Sequence, residues 1–188
     1  RQSEGWIEIL GPYVGIHDKI DDWVIGDAYS RPEVATILYE IFLATRESDR
    51  ILCGDGTGLE RTRKQNYESN KRKGIYMTSI IDSREIVQAF DITRRGEREV
   101  MIELIGIVSG DSIRLDAGFN SRELTEAIEE LFMKPYIYPN SKNNLNGNDS
   151  WKYMYLEFFW DIWLWMKEYH QRSHCESFHS AFKRVYGN

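Results

Sequence analysis

The order of strand-like and helix-like segments limits the folds open to this chain. Three strand-like runs come first, in "RILCGDGTGL", "IYMTSIID" and "EIVQAFDIT". Helix and strand patterns then alternate through "EREVMIELIGIV", "SIRLDAGF", "NSRELTEAIEELFM" and "PYIYP". Consecutive strands favour an antiparallel meander, whereas strands separated by helices usually join a sheet in parallel. The sequence therefore predicts an α/β fold, in which a mixed five-stranded sheet has three antiparallel and two parallel strands, flanked by helices.

Helical patterns lie on both sides of this region. In "SRPEVATILYEIFLATRES", Ser30 is a candidate N-cap and Pro32 lies in the first turn. Asn120, followed by Glu123, resembles a capping box that starts another helix. From Trp151 to about residue 185 the pattern predicts one long helix or two in succession. Charged residues interrupt its aromatic stretch "WKYMYLEFFWDIWLWMKEY" too often for a membrane span, so we expect a buried helix.

Composition agrees with a soluble globular protein, because 41% of the 188 residues are apolar and 29% are charged. Two cysteines, Cys53 and Cys175, are too few for a disulfide framework. The net charge of −6 does not by itself indicate a nucleic-acid partner, although a local basic strip can exist on an acidic protein.

Three acids fall at comparable places on this layout. Asp55 and Asp116 are expected at the ends of the first and fourth strands, and Glu176 on the last helix. If those strands are neighbours, the two aspartates emerge at one edge of the sheet, where the helix could add the glutamate. Such carboxylates suit two Mg²⁺ or Mn²⁺ ions for phosphoryl transfer. The alternative is that aspartate at a strand end simply starts a turn.

Four polar residues of the last helix share one face. With about 100° per residue, Tyr169, Arg172, Glu176 and Lys183 lie within a stripe of roughly 60° that runs about 20 Å. A carboxylate flanked by a phenol and two cations suits a metal-bound phosphodiester. The alternative is a solvated face with an Arg172–Glu176 pair, which leaves Tyr169 and Lys183 unexplained.

The histidines near this stripe raise the possibility of a zinc site. His170 and His174 are four residues apart and could share an ion, whereas His179 and Cys175 point elsewhere on the helical wheel. Two ligands without a second Cys/His cluster make a poor zinc site. We therefore expect surface or hydrogen-bonding histidines.

The spacing Y-x2-R-x3-E-x6-K from Tyr169 to Lys183 resembles the signature of prokaryotic insertion-sequence transposases of the DDE type. "DGTGL" around Asp55 and "DAGFNSREL" around Asp116 are similar to that family's first two acid motifs. The resemblance implies a ribonuclease-H-like fold and two Mg²⁺ or Mn²⁺ ions held by Asp55, Asp116 and Glu176. It also implies DNA cleavage and strand transfer at the ends of a mobile element, with Tyr169, Arg172 and Lys183 on DNA phosphates.

The same resemblance implies double-stranded DNA as partner, a homodimer on that DNA, and a place in the prokaryotic cytoplasm at the nucleoid. We expect residues 50–188 to form the catalytic core, and residues 1–49 to be a helical lead-in that ends a missing DNA-binding region. The alternative function is a truncated or domesticated remnant that binds DNA or oligomerises without catalysis.

A basic loop at residues 60–73 is the candidate for tracking DNA phosphates. Its cations are Arg61, Arg63, Lys64, Lys71, Arg72 and Lys73. The alternative is a solvated loop that keeps a hairpin in solution.

Overall fold

The chain divides into two units, Arg1–Arg46 and Glu47–Asn188. A computed structural model describes residues 9–15, 21–59, 75–140 and 144–186. In the first unit, helix α1 spans Asp22–Tyr29 and helix α2 spans Pro32–Thr45. Pro32 lies in the first turn of α2 as predicted, but the N-cap position is Arg31. Ser30 instead ends α1, where its hydroxyl donates to the Asp27 carbonyl at 2.6 Å.

The second unit contains a five-stranded sheet with the order β3-β2-β1-β4-β5. Its strands are β1 Ile51–Gly58, β2 Tyr76–Asp82, β3 Val87–Thr93, β4 Ser112–Leu115 and β5 Lys134–Ile137. Strands β1, β2 and β3 pair antiparallel, whereas β4 pairs parallel with both β1 and β5. The predicted mixed sheet is confirmed, and its order and directions agree with a ribonuclease-H-like fold.

Five helices accompany the sheet within the described part of this unit. They are α3 Glu97–Ile105, α4 Arg122–Glu130, α5 Asp149–Trp160, α6 Ile162–Tyr169 and α7 Ser173–Tyr186. The helices lie on two faces of the sheet, and the side chains of β1 show which helix lies on which face, because successive side chains of a strand point in opposite directions. Leu52 belongs to the large apolar core with α3, α4 and α5, whereas Cys53 packs with Cys175 of α7 and Ile81 in a smaller cluster.

The last helical region is broken twice, so the predicted single helix or pair of helices is wrong. At the first break, the Asp161 side chain accepts a hydrogen bond from the Leu164 amide at 3.0 Å and caps α6. At the second, His170–Arg172 form a 3-10 turn before α7 begins. Neither break contains proline or glycine, the residues that usually mark a helix end in a sequence.

The start of α4 differs from the predicted capping box. Ser121 is the N-cap, and its hydroxyl accepts from the Leu124 amide at 3.1 Å. Asn120 lies one residue earlier, and its amide donates to the Tyr138 carbonyl at 2.8 Å. The Asn120 side chain therefore forms a tertiary hydrogen bond instead of the capping bond that the local pattern predicted.

A buried arginine attaches α6 to the sheet. The Arg114 side chain on β4 is about 2% exposed and pairs with Glu168, with 2.7 Å between Nη2 and Oε2. It also donates to the Glu168 carbonyl and the Ser112 hydroxyl, and it lies over the Tyr136 ring. Because breaking a buried ion pair leaves an uncompensated charge, this group holds the end of α6 against β4.

Among the described helices, none combines the length and the apolar character that crossing a membrane requires.

Gly54 of β1 is closely approached by helix α3 and by the neighbouring strand β4. A Cβ there would lie 2.6 Å from Leu115 Cδ2 and 2.9 Å from Met101 Cε. We predict that Gly54→Ala lowers the free energy of unfolding by about 1–3 kcal/mol through overpacking. Urea denaturation measures this loss. Adding Leu115→Val should recover part of it by making room, and a Gly54→Ala protein as stable as the original would contradict the packing.

Candidate active site

Asp55 lies on β1, and Asp116 directly follows the parallel strand β4 beside it. The pairing ends with Gly54 opposite Leu115, and each aspartate is the next residue along its strand. Adjacent strands are about 5 Å apart, so the two acids share one edge of this pairing. The sequence placed Asp55 at the end of its strand. In the structure β1 continues to Gly58 through its antiparallel pairing with β2, and Asp55 faces Ser79 there.

The turn between α6 and α7 lies over the same two strands. The Cys53 thiol of β1 donates to the Gln171 carbonyl at 3.3 Å. Arg114 of β4 holds the Glu168 carbonyl at 3.1 Å. These two bonds attach the end of α6 and the 3-10 turn to β1 and β4. The turn therefore places Arg172 close to the two aspartates.

Arg172 joins the acids of the sheet to the acid of α7. Its Nη1 lies 3.4 Å from Asp55 Oδ2, and its Nη2 is hydrogen-bonded to Glu176. The guanidinium also lies 6.0 Å from the Tyr169 ring centroid. The structure therefore brings Tyr169, Arg172, Glu176 and Asp55 together, even though a 3-10 turn replaces the continuous helix on which their common face was predicted.

The remaining predicted phosphate ligands are more distant or not described. Lys183 lies seven residues beyond Glu176 on α7, about 10 Å further along the axis, and is half-buried. The basic loop lies outside the described residues, with all six of its candidates: Arg61, Arg63, Lys64, Lys71, Arg72 and Lys73.

Opposing effects act on the pKa of Asp55. Burial raises the pKa of this carboxyl, and the nearby Asp116 and Glu176 raise it further. The Gly56 amide, which donates to Asp55 Oδ1 at 2.9 Å, and the Arg172 guanidinium oppose the rise. The pKa of Asp55 stands above its ordinary value as a result. The other carboxylate oxygen, Oδ2, has the Arg172 guanidinium as its partner.

Glu97 is an acid of this site that the sequence reading missed. It is the first residue of α3, and its carboxylate packs against Gly56, one residue after Asp55. Burial raises the pKa of Glu97, and the charges of Asp55 and Asp116 add to that rise. Nothing local in the sequence identifies this neighbour. Only the fold shows that the helix after β3 starts beside β1.

The glycines beside Asp55 accommodate protein side chains. Gly54 leaves space for Leu115 and Met101, and Gly56 leaves space for the Glu97 carboxylate. The space at these two glycines is therefore filled by the protein's own side chains. Around Gly118, after Asp116, a Cβ would meet no heavy atom within 4 Å. That side remains open to a ligand.

His179 is a second neighbour of this site, and the helical wheel predicts only that it points away from the His170–His174 pair. It is 6% exposed, its Nε2 lies 2.9 Å from the Ser79 hydroxyl, and its Nδ1 lies 4.0 Å from Asp55 Oδ2. Burial, with a smaller contribution from Lys183, lowers the pKa of His179 to about 4. The imidazole is therefore neutral at pH 7 and supports the strand position of Asp55.

The zinc alternative receives no support from these positions. His170 is exposed, and His174 Nδ1 lies 3.7 Å from Glu85 on the β2–β3 turn. Burial raises the pKa of Cys53 to about 12 and that of Cys175 well above its ordinary value, which disfavours the thiolate that zinc binds. In the described ranges, no three Asp, Glu, His or Cys side chains are arranged as a ready metal site.

The donor set nevertheless fits small hard cations. Asp55, Asp116, Glu176 and Glu97 offer carboxylate oxygens, which Mg²⁺ and Mn²⁺ prefer over the nitrogen and sulfur ligands typical of zinc. Arg172 now pairs with two of these acids, so divalent ions would have to replace its guanidinium. Cations at these acids, or a phosphate at this guanidinium, would therefore displace that internal pair.

Acid should destabilise the fold through His179. In the unfolded chain the imidazole is protonated near its ordinary pKa of 6.5, whereas in the folded protein burial lowers its pKa to about 4. Stability present above pH 6.5 is therefore lost as the pH falls through this window. We expect urea denaturation to show about 2 kcal/mol less stability at pH 5 than at pH 7 from this residue. His179→Gln should lack that share of the loss, whereas His170→Gln, on the exposed turn, should retain it. Equal pH dependence in both variants would contradict the assignment.

No protein-family model matches the chain, and no curated protein matches it. The candidate function is therefore inferred from these residues and their geometry.

Proposed function

We propose that this chain is the catalytic core of a DDE-type transposase, which cuts DNA at the ends of a mobile element and transfers the strands. The main support is the position of Asp55 and Asp116, each directly after the last pair between the parallel strands β1 and β4, with Glu176 joined to Asp55 through Arg172. Two acids are thus adjacent in the fold and a third is linked to them through one guanidinium, which supports the set that the resemblance implies.

Asp55, Asp116 and Glu176 would hold two Mg²⁺ or Mn²⁺ ions. Such ions, when bound, activate the attacking water or 3′-hydroxyl and stabilise the leaving oxygen. The side chain of Glu176 is 59% exposed and that of Asp55 is 18% exposed. The buried strand therefore provides a fixed ligand, whereas the helix provides one with room to adjust as substrate enters.

Arg172 and Tyr169 would hold a DNA phosphate near the cleaved bond, with Lys183 further along the backbone. Arginine suits this role because its planar guanidinium forms paired hydrogen bonds to phosphate oxygens. A phosphate would take the place of the carboxylates with which Arg172 now pairs. Release of those carboxylates then makes their oxygens available to cations.

Double-stranded DNA is the proposed partner, bound by two copies of the chain so that both element ends are held, in the prokaryotic cytoplasm at the nucleoid. The net charge of −6 means that attraction to DNA depends on local cations rather than on the whole surface. The basic loop at residues 60–73 is the proposed source of additional phosphate contacts.

Cleavage should require the three acids. We expect Mg²⁺- or Mn²⁺-dependent nicking of a plasmid that carries the element's terminal repeats, measured by gel electrophoresis. Asp55→Asn, Asp116→Asn and Glu176→Gln should each reduce the rate by at least about 100-fold, since each removes a charged metal ligand. Asp149→Asn is the matched control, because this aspartate starts α5 and its side chain is 83% exposed.

Nicking that survives in Asp55→Asn would contradict the proposal. Binding of DNA without nicking, unchanged in all three variants, would instead support the non-catalytic remnant.

Arg172 should have opposite effects on metal and on DNA. In Arg172→Gln the cation that competes for Asp55 and Glu176 is lost, so Mn²⁺ should bind the DNA-free protein about fivefold more tightly, as expected for an ion pair worth about 1 kcal/mol. DNA should bind more weakly, because a phosphate ligand is missing. Titration calorimetry with MnCl₂ and a DNA-binding assay measure the two effects. Arg95→Gln, which removes an exposed ion pair with Glu103, is the control. Weaker Mn²⁺ binding in Arg172→Gln would contradict the competition.

A further inference from the structure

Glu97 reaches the candidate site from the side opposite to Arg172. Gly56 lies on the same face of β1 as Gly54. The neighbours of Gly54, Leu115 and Met101, belong to the apolar core that contains α3. A Cβ at Gly56 would lie 2.5 Å from Glu97 Oε1 and 2.6 Å from its carboxyl carbon. Asp55, the residue between the two glycines, points to the other face, where Arg172 and His179 lie. Acids thus approach β1 from both faces of the sheet.

The charges around Glu97 are unbalanced. Its carboxylate is half-buried, and the neighbours that act on it electrostatically are Asp55 and Asp116, both acids. In the described part of the chain, no cation forms an ion pair with Glu97, whereas Arg172 pairs with Asp55 and Glu176. A third negative charge beside two others is costly in a partly desolvated position unless a cation or a proton compensates it.

A helix-starting role does not account for this position. Acids in the first turn of a helix are favourable because of the helix dipole, and an exposed side chain serves that purpose. Glu99, also in the first turn of α3, shows this arrangement with a side chain that is 64% exposed. Glu97 instead turns inward against Gly56. Its direction, rather than its place in the helix, requires an explanation.

We propose that Glu97 is a fourth carboxylate ligand of the divalent-metal site, and that it binds from the face of the sheet opposite to Glu176. This inference rests on the proposed metal-dependent function. It assigns the chain a ligand outside the Asp55, Asp116 and Glu176 set. This role of Glu97 also explains the glycine at position 56, since only a residue without a side chain leaves room for the Glu97 carboxylate in this position.

Metal binding without DNA tests the ligand directly. Titration calorimetry with MnCl₂ would compare the original protein with Glu97→Gln, which removes the charge and keeps the shape. We expect Glu97→Gln to weaken Mn²⁺ binding about 10- to 100-fold, the usual cost of losing a partner at a metal site. Glu99→Gln, the same change two residues along the helix, should bind as the original does. Asp55→Asn serves as the reference for loss of the site.

The outcomes separate this proposal from the one on which it rests. If Asp55→Asn loses Mn²⁺ binding while Glu97→Gln matches Glu99→Gln, then Glu97 is not a ligand and the metal site stands without it. If neither Asp55→Asn nor Glu97→Gln changes the binding of Mn²⁺, both proposals are overturned. Thermal unfolding of each variant shows whether any loss reflects the site or the fold.

Gly56 offers an independent test through a double-mutant cycle. Gly56→Ala should displace the Glu97 carboxylate and weaken Mn²⁺ binding, although it changes no charge. In a Glu97→Ala background the added methyl group has no carboxylate to displace, so Gly56→Ala should cause no further loss. An equal loss in both backgrounds would overturn the link between Gly56 and Glu97. Should Gly56→Ala fail to fold, the comparison of Glu97→Gln with Glu99→Gln still decides the assignment.

Discussion

The short parallel pairing between β1 and β4 is the constraint on which the candidate site depends. Its four residue pairs end at Gly54 and Leu115, and the residue that follows on each strand is an aspartate. The hydrogen-bonded ladder sets the separation of their backbones, and the turn that Asp116 starts holds its side chain through the Gly118 amide. The apolar core behind Leu52 and Leu115 holds both strands in register, so the stability of the sheet and the geometry of the acids have one origin.

The other face of the sheet relies on polar attachments. Its apolar cluster of buried residues contains Cys53, Ile81 and Cys175, far fewer than the core on the α3 side. Arg114 and the Cys53 thiol compensate by binding the main chain at Glu168 and Gln171. Directional hydrogen bonds fix the turn that carries Arg172 more closely than apolar packing alone would, because packing has no preferred direction.

The sequence was sufficient for the sheet and for its strand directions, since these follow from segment order and hydrophobic pattern. The proximity of Asp55 and Asp116 was predicted only on the condition that β1 and β4 are neighbours, which the sheet order supplies. The Arg172–Glu176 pair, which is local in a helix, is the one that the alternative interpretation of the polar face of the last helix predicted. The sequence could not give the break at His170–Arg172, which contains no proline or glycine. Glu97 and His179 were missed for a different reason. Their partners, Gly56 and Ser79, lie 41 and 100 residues away in the chain, and only the folded sheet makes them neighbours.

The pairing of Arg172 with Asp55 and Glu176 has a thermodynamic consequence. The Arg172 guanidinium is a counter-ion that belongs to the chain itself. Cations bind the carboxylates more tightly once a phosphate has drawn the guanidinium away, and a phosphate binds the guanidinium more tightly once cations hold the carboxylates. A ligand that raises the affinity for a second ligand must have its own affinity raised by the same factor. DNA and divalent ions would then load cooperatively, and a chain free of DNA would keep its acids neutralised by its own side chain.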